Sequence, residues 1–348
     1  MSALNALLAR FPRLGLAQLP TPLEPLPRLS AHLGGPAIWV KRDDTTGLGF
    51  GGNKLRKLDY VLHEALALGA DTLVSGGVVQ SNSQRQVAAV AAKLGLACHL
   101  AVFHGRVPET SPFYRRSGNA LLNQLFGAHL HDAPWTGDRN EAIERLAHEL
   151  RAQGRRVFVV PYGVSSALGA VGYMSAVAEI AWQARARAME PSAIVHASGS
   201  GGTQAGLVLG ASLALPDTRV IGIDVDGEPE QVRGRVAGCL KEGAGHAGLP
   251  FTDADIEIVP RPAGSRYGVP DAETMEAMRL TASLEGLILD PVYSAKAMAG
   301  LIGLVRSGRW KADEQIVFLH SGGTPALFAY ADMLDLNSPT SKESAGQG

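Results

Sequence analysis

Cysteine is nearly absent: the 348 residues hold two, Cys98 and Cys239. They form no Cys-x-x-Cys or Cys/His spacing, which argues against a disulfide framework or structural zinc and leaves no metal to expect. Each reads as a small buried hydrophobe rather than a nucleophile. Charge of one sign is missing too. The formal net charge is −1, with nothing to suggest a nucleic-acid or membrane-surface partner. No apolar run is long enough to span a bilayer, since 87–103 is broken by Lys93, Gly95 and His99. The start of the chain lacks an apolar stretch ending in a cleavage site. These absences together lead us to expect a cytoplasmic protein. The last residues, 337–348, lack any apolar pattern and read as a disordered tail.

Hydrophobic residues make up 46% of the chain and charged residues 19%, an ordinary globular balance with enough apolar material for a sizeable core. Residues 1–36 are rich in Pro and Leu and read as an extended arm with one short helix over 26–33. Short apolar runs then alternate with segments of helical spacing. Strands are expected at 37–41, 70–75, 97–103, 129–132, 157–160, 192–197, 219–225, 256–260 and 315–320. Helices are expected at 54–68, 84–94, 118–126, 139–153, 167–187, 229–241, 272–285 and 294–307, with a glycine-rich breaker at 243–248. This alternation implies βαβ units, hence an α/β chain with two open twisted parallel sheets and a cleft between them.

Four loops at expected strand ends, where open α/β sheets bind ligands, carry unusual chemistry. Lys41-Arg-Asp-Asp runs through a glycine loop into Gly51-Gly-Asn-Lys54 at a helix start. The positive end of the helix dipole disfavours an ammonium there, so Lys54 either holds an anion, has its amine set to chemistry, or is a solvated surface lysine. Ser198-Gly-Ser-Gly-Gly-Thr203 fits a phosphate cradle, although an ordinary tight turn reads the same way. It is neither a P-loop nor a dinucleotide fingerprint. Gln80-Ser-Asn-Ser-Gln84 offers three consecutive polar groups at a helix start. One would suffice as a cap, and three suggest a site for a small carboxylate. Ser321-Gly-Gly-Thr-Pro is a further strand-to-helix turn. An amine, a phosphate cradle and a carboxylate site together suit an aldehyde cofactor bearing a phosphate and held as a Schiff base, which describes pyridoxal 5′-phosphate (PLP).

Lys41-Arg-Asp-Asp, Gly51-Gly-Asn-Lys-Leu-Arg-Lys-Leu, Gln80-Ser-Asn, Gly202-Thr-Gln-Ala-Gly, Asp290-Pro-Val-Tyr and His320-Ser-Gly-Gly-Thr-Pro-Ala, in that order, resemble the D-cysteine desulfhydrase / 1-aminocyclopropane-1-carboxylate (ACC) deaminase family. The resemblance covers residues 8–330. It implies a fold type II PLP enzyme with the cofactor in the cleft, a large PLP-binding domain from 1–57 and 166–336, a small domain from 58–165, and a homodimer. It also implies roles. Lys54 would carry the cofactor and move protons. Asn82 would bond the ring oxygen. Gly199, Ser200, Gly201, Gly202 and Thr203 would hold the phosphate. Ser81, with Asn82 and Ser83, would meet the substrate carboxylate. Tyr267 and Tyr293 would line the pocket, Tyr293 with a part in catalysis, although buried tyrosines are often core residues.

In ACC deaminases the position of Ser294 carries Glu and that of Ser321 carries Leu. Hydroxyls at both, facing the pyridine nitrogen, resemble the desulfhydrase branch. The family pattern is broken at Ser83, where His is usual, at Phe103-His104, at Tyr162 and at Ser166, positions expected near the substrate side chain. The resemblance therefore implies β-elimination on a small β-substituted amino acid, D-cysteine first, giving pyruvate, hydrogen sulfide and ammonia. ACC deamination, L-cysteate cleavage, a non-catalytic PLP-binding protein and a nucleotide-binding α/β protein are the competing readings.

Overall fold

Ten short strands account for the apolar runs: β1 (Leu23–Pro25), β2 (Ala37–Arg42), β3 (Thr72–Val78), β4 (Ala97–His104), β5 (His129–Pro134), β6 (Val157–Val159), β7 (Ala193–Ser198), β8 (Arg219–Asp224), β9 (Glu257–Val259) and β10 (Gln315–His320). The computed structural model describes residues 2–109 and 111–334; the tail expected at 337–348 lies outside the described residues. One sheet has the order β1-β2-β10-β7-β8-β9 and the other β5-β4-β3-β6. The second is parallel throughout. The first is parallel except for β1, which runs antiparallel to β2. Continuous apolar strands such as Ile316–Leu319 in β10 are buried, as parallel strands covered on both faces must be.

The helix Ala167–Arg185 is apolar on most sides and packs against Gly202–Ala214. Close approach is possible because position 206 is glycine: a Cβ there would sit 2.2 Å from the Ala170 carbonyl oxygen. Between this helix pair and β2 lies a buried ionic network. Arg56 donates to Asp43 and to both Glu179 oxygens at 2.8 Å, Lys41 donates to Glu179 at 2.7 Å, and Tyr173 donates to Asp43 at 2.8 Å. Every partner is satisfied by another, which fixes the end of β2 relative to the helix Asn53–Ala67.

Two stretches depart from the sequence reading. The expected arm over 1–36 contains a helix, Ala3–Leu8, capped by Ser2, with Leu4 and Leu7 buried in the core, and an edge strand, β1, ahead of the expected short helix Pro27–Leu33. Proline does not prevent a three-residue strand at a sheet edge, where its missing N–H is tolerated. The expected breaker at 243–248 is helical: Pro229–Ala247 continues through it and ends at Gly248, left-handed with φ 70°. Burial of Gly243 and Ala244 against the core outweighs the weak helix preference of glycine.

Candidate active site

The strands deliver their carboxyl ends to one cleft. In the larger sheet β2, β10 and β7 are adjacent, so the glycine loop, Ser321 and the Ser198–Thr203 loop share one end of it. Across the cleft β3 opens onto Gln80–Ser83, and β6 onto Tyr162-Gly163.

Lys54 is the second residue of the helix Asn53–Ala67, whose cap, Gly52, supplies no side chain. Gln86 from the neighbouring helix accepts the Leu55 N–H at 3.0 Å instead. The Lys54 ammonium lines the cleft and donates to Asn53 Oδ1 at 3.0 Å. Burial first, then the Arg85 guanidinium, push its pKa down to about 8, against the pull of Asp290. A lysine in that range is neutral in a larger share near neutral pH than a surface lysine is.

The helix Asn82–Leu94 begins at the opposite wall. Ser81 caps it, its Oγ accepting the Gln84 N–H at 3.3 Å, so one of the three polar groups does ordinary capping work. Asn82 has its carbonyl oxygen taken by the Asn119 amide at 2.7 Å, which leaves its own NH2 for a ligand. Ser83 Oγ is buried without any partner. A buried orphan hydroxyl on the cleft wall beside free helix N–H groups can donate to a carboxylate.

At the end of β7, Gly201 adopts φ 90° and a Cβ there would stand 2.6 Å from the Arg235 carbonyl oxygen, so only glycine lets the loop curl. Ser165 donates to Ser200 Oγ at 2.9 Å and accepts the Gly202 N–H at 3.3 Å, while Asn53 donates to Thr203 Oγ1 at 3.3 Å. Beneath the loop lies Lys57, fully buried, with one hydrogen bond, to the Gly163 carbonyl at 3.3 Å. Its Nζ is 3.1 Å from where a Gly202 Cβ would be. Burial, then the Lys54 charge, hold its pKa well below the usual lysine value. His196, on the same wall, has a buried Nε2 with no partner and a pKa lowered to about 4 by burial. An amine without a counter-charge, an orphan imidazole nitrogen and a glycine cradle at a helix start fit a phosphate. Lys54, Asn82 and this cradle thus fit PLP.

Of the residues expected at the site, Lys54, Ser81, Asn82, Ser83, Gly199, Ser200, Gly201, Thr203, Tyr267, Tyr293 and Ser321 line the cleft. Tyr267 and Tyr293 are hydrogen-bonded through their hydroxyls, rings edge to face. Gly202 turns its N–H to Ser165 and is not on the wall. Ser294 is fully buried and exchanges hydrogen bonds with Asp290, donating to its Oδ1 at 2.7 Å and accepting its N–H at 2.8 Å, away from the wall. Of the positions expected near the substrate side chain, Ser83 and Tyr162 are on the wall. Phe103 stands behind Tyr162, stacked on it with centroids 6.3 Å apart. His104 points outward to Asp132 and Glu109, and Ser166 caps the helix Ala167–Arg185.

Asn53, Arg139, His196 and Asp226 line the cleft although the sequence reading gave them no role, and Lys57, likewise given none, is buried beneath the glycine loop. Lys57 follows Lys54 by three residues, so the two share a helix face. Asp226 follows the end of β8, where the strand-end rule applies as it did to the other loops. Arg139, in a polar loop, carries no such signal.

The family described as "Pyridoxal-phosphate dependent enzyme" matches residues 14–322. D-cysteine desulfhydrase of Salmonella choleraesuis (strain SC-B67) is 47% identical over 323 residues, which is 93% of this chain and 97% of that protein. The D-cysteine desulfhydrase of Salmonella paratyphi C (strain RKS4594) matches to the same extent. Among solved structures, an ACC deaminase homologue aligns with TM-score 0.85 and 37% identity over 95% of this chain and 98% of its own. The processed form of threonine deaminase isoform 2 from Solanum lycopersicum aligns with TM-score 0.68 at 17% identity, over 97% of this chain and 93% of its own, a likeness of fold alone. The chain belongs to the D-cysteine desulfhydrase / ACC deaminase family of fold type II PLP-dependent enzymes.

Proposed function

We propose that this chain is a carbon–sulfur lyase that takes D-cysteine to pyruvate, hydrogen sulfide and ammonia. The observation that carries the reading is Lys54: an amine with a pKa of about 8, in one cleft with the glycine loop 199–203 and the helix start at Ser81–Ser83. The curated relatives named D-cysteine desulfhydrase support the substrate.

PLP supplies an electron sink for the pair left at Cα. The chain's own groups do the rest. The loop 199–203 and Lys57 would hold its phosphate. Asn82 would orient its ring through the side-chain amide. The helix start at Ser81–Ser83 receives the substrate carboxylate, which sets the Cα–H bond toward Lys54. Lys54 Nζ accepts that proton. The Cβ–S bond breaks with its electron pair on sulfur, which departs as hydrosulfide. Water then converts the three-carbon enamine to pyruvate and ammonium. Ser321, on the wall, offers a neutral hydroxyl at the remaining side of the site.

The same reading divides the chain into lobes at 57/58 and 165/166. It makes the protein cytoplasmic, consistent with two free cysteines, and a homodimer. Phe50, Phe113, Leu121, Leu125 and Phe328 are each more than half exposed. The helices Gly118–Leu125 and Thr324–Ala329 that carry three of them are in contact, an apolar face suited to a second copy. Light scattering of the purified protein, alone and with Leu125→Asp, tests the dimer; a monomer in both removes it.

The activity test is a product assay. D-Cysteine releasing sulfide and pyruvate in equal amounts supports the reading. ACC giving 2-oxobutyrate, with no sulfide from D-cysteine, reassigns the chain to deamination.

A further inference from the structure

The helix Asn82–Leu94 carries a charged group to which the reaction assigns no part. Arg85 is fully buried, and among the described residues no carboxylate forms an ion pair with it. Its guanidinium instead donates in three directions. Nη2 donates to the Gly51 carbonyl at 2.9 Å, Nη1 to the Gly49 carbonyl, and Nε to Asn119 Oδ1 at 2.8 Å. Burial pushes its pKa down to about 9. Carbonyls and an amide satisfy its donors but not its charge, and burying an unpaired charge is costly. A neutral side chain would fill the same space without that cost. The fork and its charge therefore call for a reason in the neighbouring site.

On one side the fork grips the loop that leads into Lys54. Gly49 and Gly51 have φ 58° and 61°, and neither offers a side chain to hold the loop. Arg85 holds it by the two carbonyls, and the next residue, Gln86, accepts the Leu55 N–H at 3.0 Å while donating to the Asn82 carbonyl at 3.0 Å. On the other side the fork decides which way an amide points. Asn119, at the start of the helix Gly118–Leu125, is fully buried. Its Oδ1 takes the Arg85 Nε–H, so its NH2 faces away, donating to the Gln80 carbonyl at 2.9 Å and to Asn82 Oδ1 at 2.7 Å. With Asn82 Oδ1 engaged, the Asn82 NH2 is the end left for the cleft. A reversed amide at 119 would set oxygen against oxygen at both contacts, and Asn82 would have to turn its NH2 away from the cleft to meet it.

We propose that Arg85 is a positioning residue for the cofactor site: one fork holds the loop that presents Lys54 and, through Asn119, fixes the Asn82 amide with its NH2 toward the cofactor ring. This inference rests on the placement of Asn82 proposed above. Arg85 is not on the cleft wall and acts through its neighbours. Its charge has a second effect, since it disfavours an ammonium at Lys54 while Asp290, from the turn ahead of the helix Ser294–Arg306, favours one. Lys57, one turn along the same helix, is the other cation coupled to Lys54. His196, Arg139, Asp226, Tyr267 and Tyr293 are the titratable and charged groups on the remaining walls.

The test is a double-mutant cycle on the full-length chain, read as PLP affinity by absorbance titration of the cofactor-free protein. Asn119→Asp keeps an acceptor for Arg85, now as an ion pair, but cannot donate to Asn82, whose amide should reverse. PLP affinity should fall roughly 10-fold. Asn82→Ala should lose a similar factor, and the double variant little more than either. Arg85→Gln enters the same cycle, with a smaller loss because the Gln80 carbonyl still helps to hold Asn119. It should also raise the pH midpoint of Lys54 labelling by acetic anhydride in the cofactor-free protein, from about 8 part of the way to 10.5, since burial still acts. Arg85→Lys keeps the charge without the fork, so it should keep the low midpoint and lose affinity. Circular dichroism checks that each variant is folded, and Asn119→Asp carries the cycle if an Arg85 variant is not. Losses that multiply in the double variants, or full PLP affinity in Asn119→Asp, overturn the positioning role. If Asn82→Ala alone binds PLP as tightly as the parent, the placement of Asn82 fails instead. The Lys54 midpoint then decides Arg85 by itself, and an unchanged midpoint in Arg85→Gln overturns it.

Discussion

Replacing Lys57 with Met should weaken cofactor binding while strengthening the protein without cofactor. Lys57 is fully buried, and its single hydrogen bond, to Gly163, is 3.3 Å long. Its pKa in the folded protein lies well below the ordinary 10.5. The folded state thus binds fewer protons than the unfolded state at every pH between those two values. Keeping the amine neutral costs stability there, and the cost shrinks as pH rises toward 10.5. Met is similar in length, so removing the amine should raise the unfolding midpoint of the cofactor-free protein near neutral pH, by a gain of about 1–2 kcal/mol. With the cofactor the sign reverses, because the phosphate brings the counter-charge that the amine lacks. Losing one charged hydrogen bond costs about 1.5–3 kcal/mol, or roughly 10- to 100-fold in Kd. Absorbance titration of the cofactor-free protein with PLP and, in parallel, with pyridoxal measures this. The loss should appear with PLP and be absent with pyridoxal, which has no phosphate. Equal losses with both ligands, or none with PLP, would refute the placement of Lys57 under the phosphate.

The ionic network behind the glycine loop makes a second prediction. Burial raises the Asp43 and Glu179 carboxyls, but Arg56 outweighs it, and both titrate below their ordinary 3.8 and 4.5. Their contribution is complete above those values and is lost as pH falls through the lowered ones. Glu179→Gln should therefore destabilise the protein by about 3–5 kcal/mol at neutral pH, leaving Lys41 and part of Arg56 uncompensated, and should flatten the acid limb of a stability–pH curve. Gly201→Ala should lose PLP affinity, since the new Cβ meets the Arg235 carbonyl at 2.6 Å and the backbone is at φ 90°; unaltered affinity would show that the loop need not curl. Ser83→Ala removes a buried hydroxyl without a partner. Substrate-free stability should hold or rise by about 1 kcal/mol while KM rises, as paired thermal and kinetic measurements would show.

The strand-and-helix alternation was legible because β10 and its neighbours are continuous apolar runs bounded by glycine loops, and because loops with unusual chemistry fall at strand ends. Lys54, the Ser81–Ser83 helix start and the glycine loop at the end of β7 meet in one cleft for that reason. Position along the chain said less about depth. Ser294 lies one residue from Tyr293, yet it faces Asp290 rather than the cleft, since helix geometry turns neighbouring side chains about 100° apart. Ala3–Leu8 was missed because two buried leucines make too short a pattern until the core they enter is known. Arg139 and Asp226 come from two distant loops, and only the packing of the two sheets brings their charges together.

Borohydride reduction of the purified holoprotein, followed by digestion and mass spectrometry, tests the central claim most directly. It reads which amine carries the cofactor, with Lys57 three residues away as the built-in control. The pyridoxyl label should appear on Lys54 and be absent from Lys54→Ala. Label on Lys57 or Lys41, or none on a protein that turns over D-cysteine, would contradict the assignment of Lys54 as the amine that holds the cofactor and moves the proton.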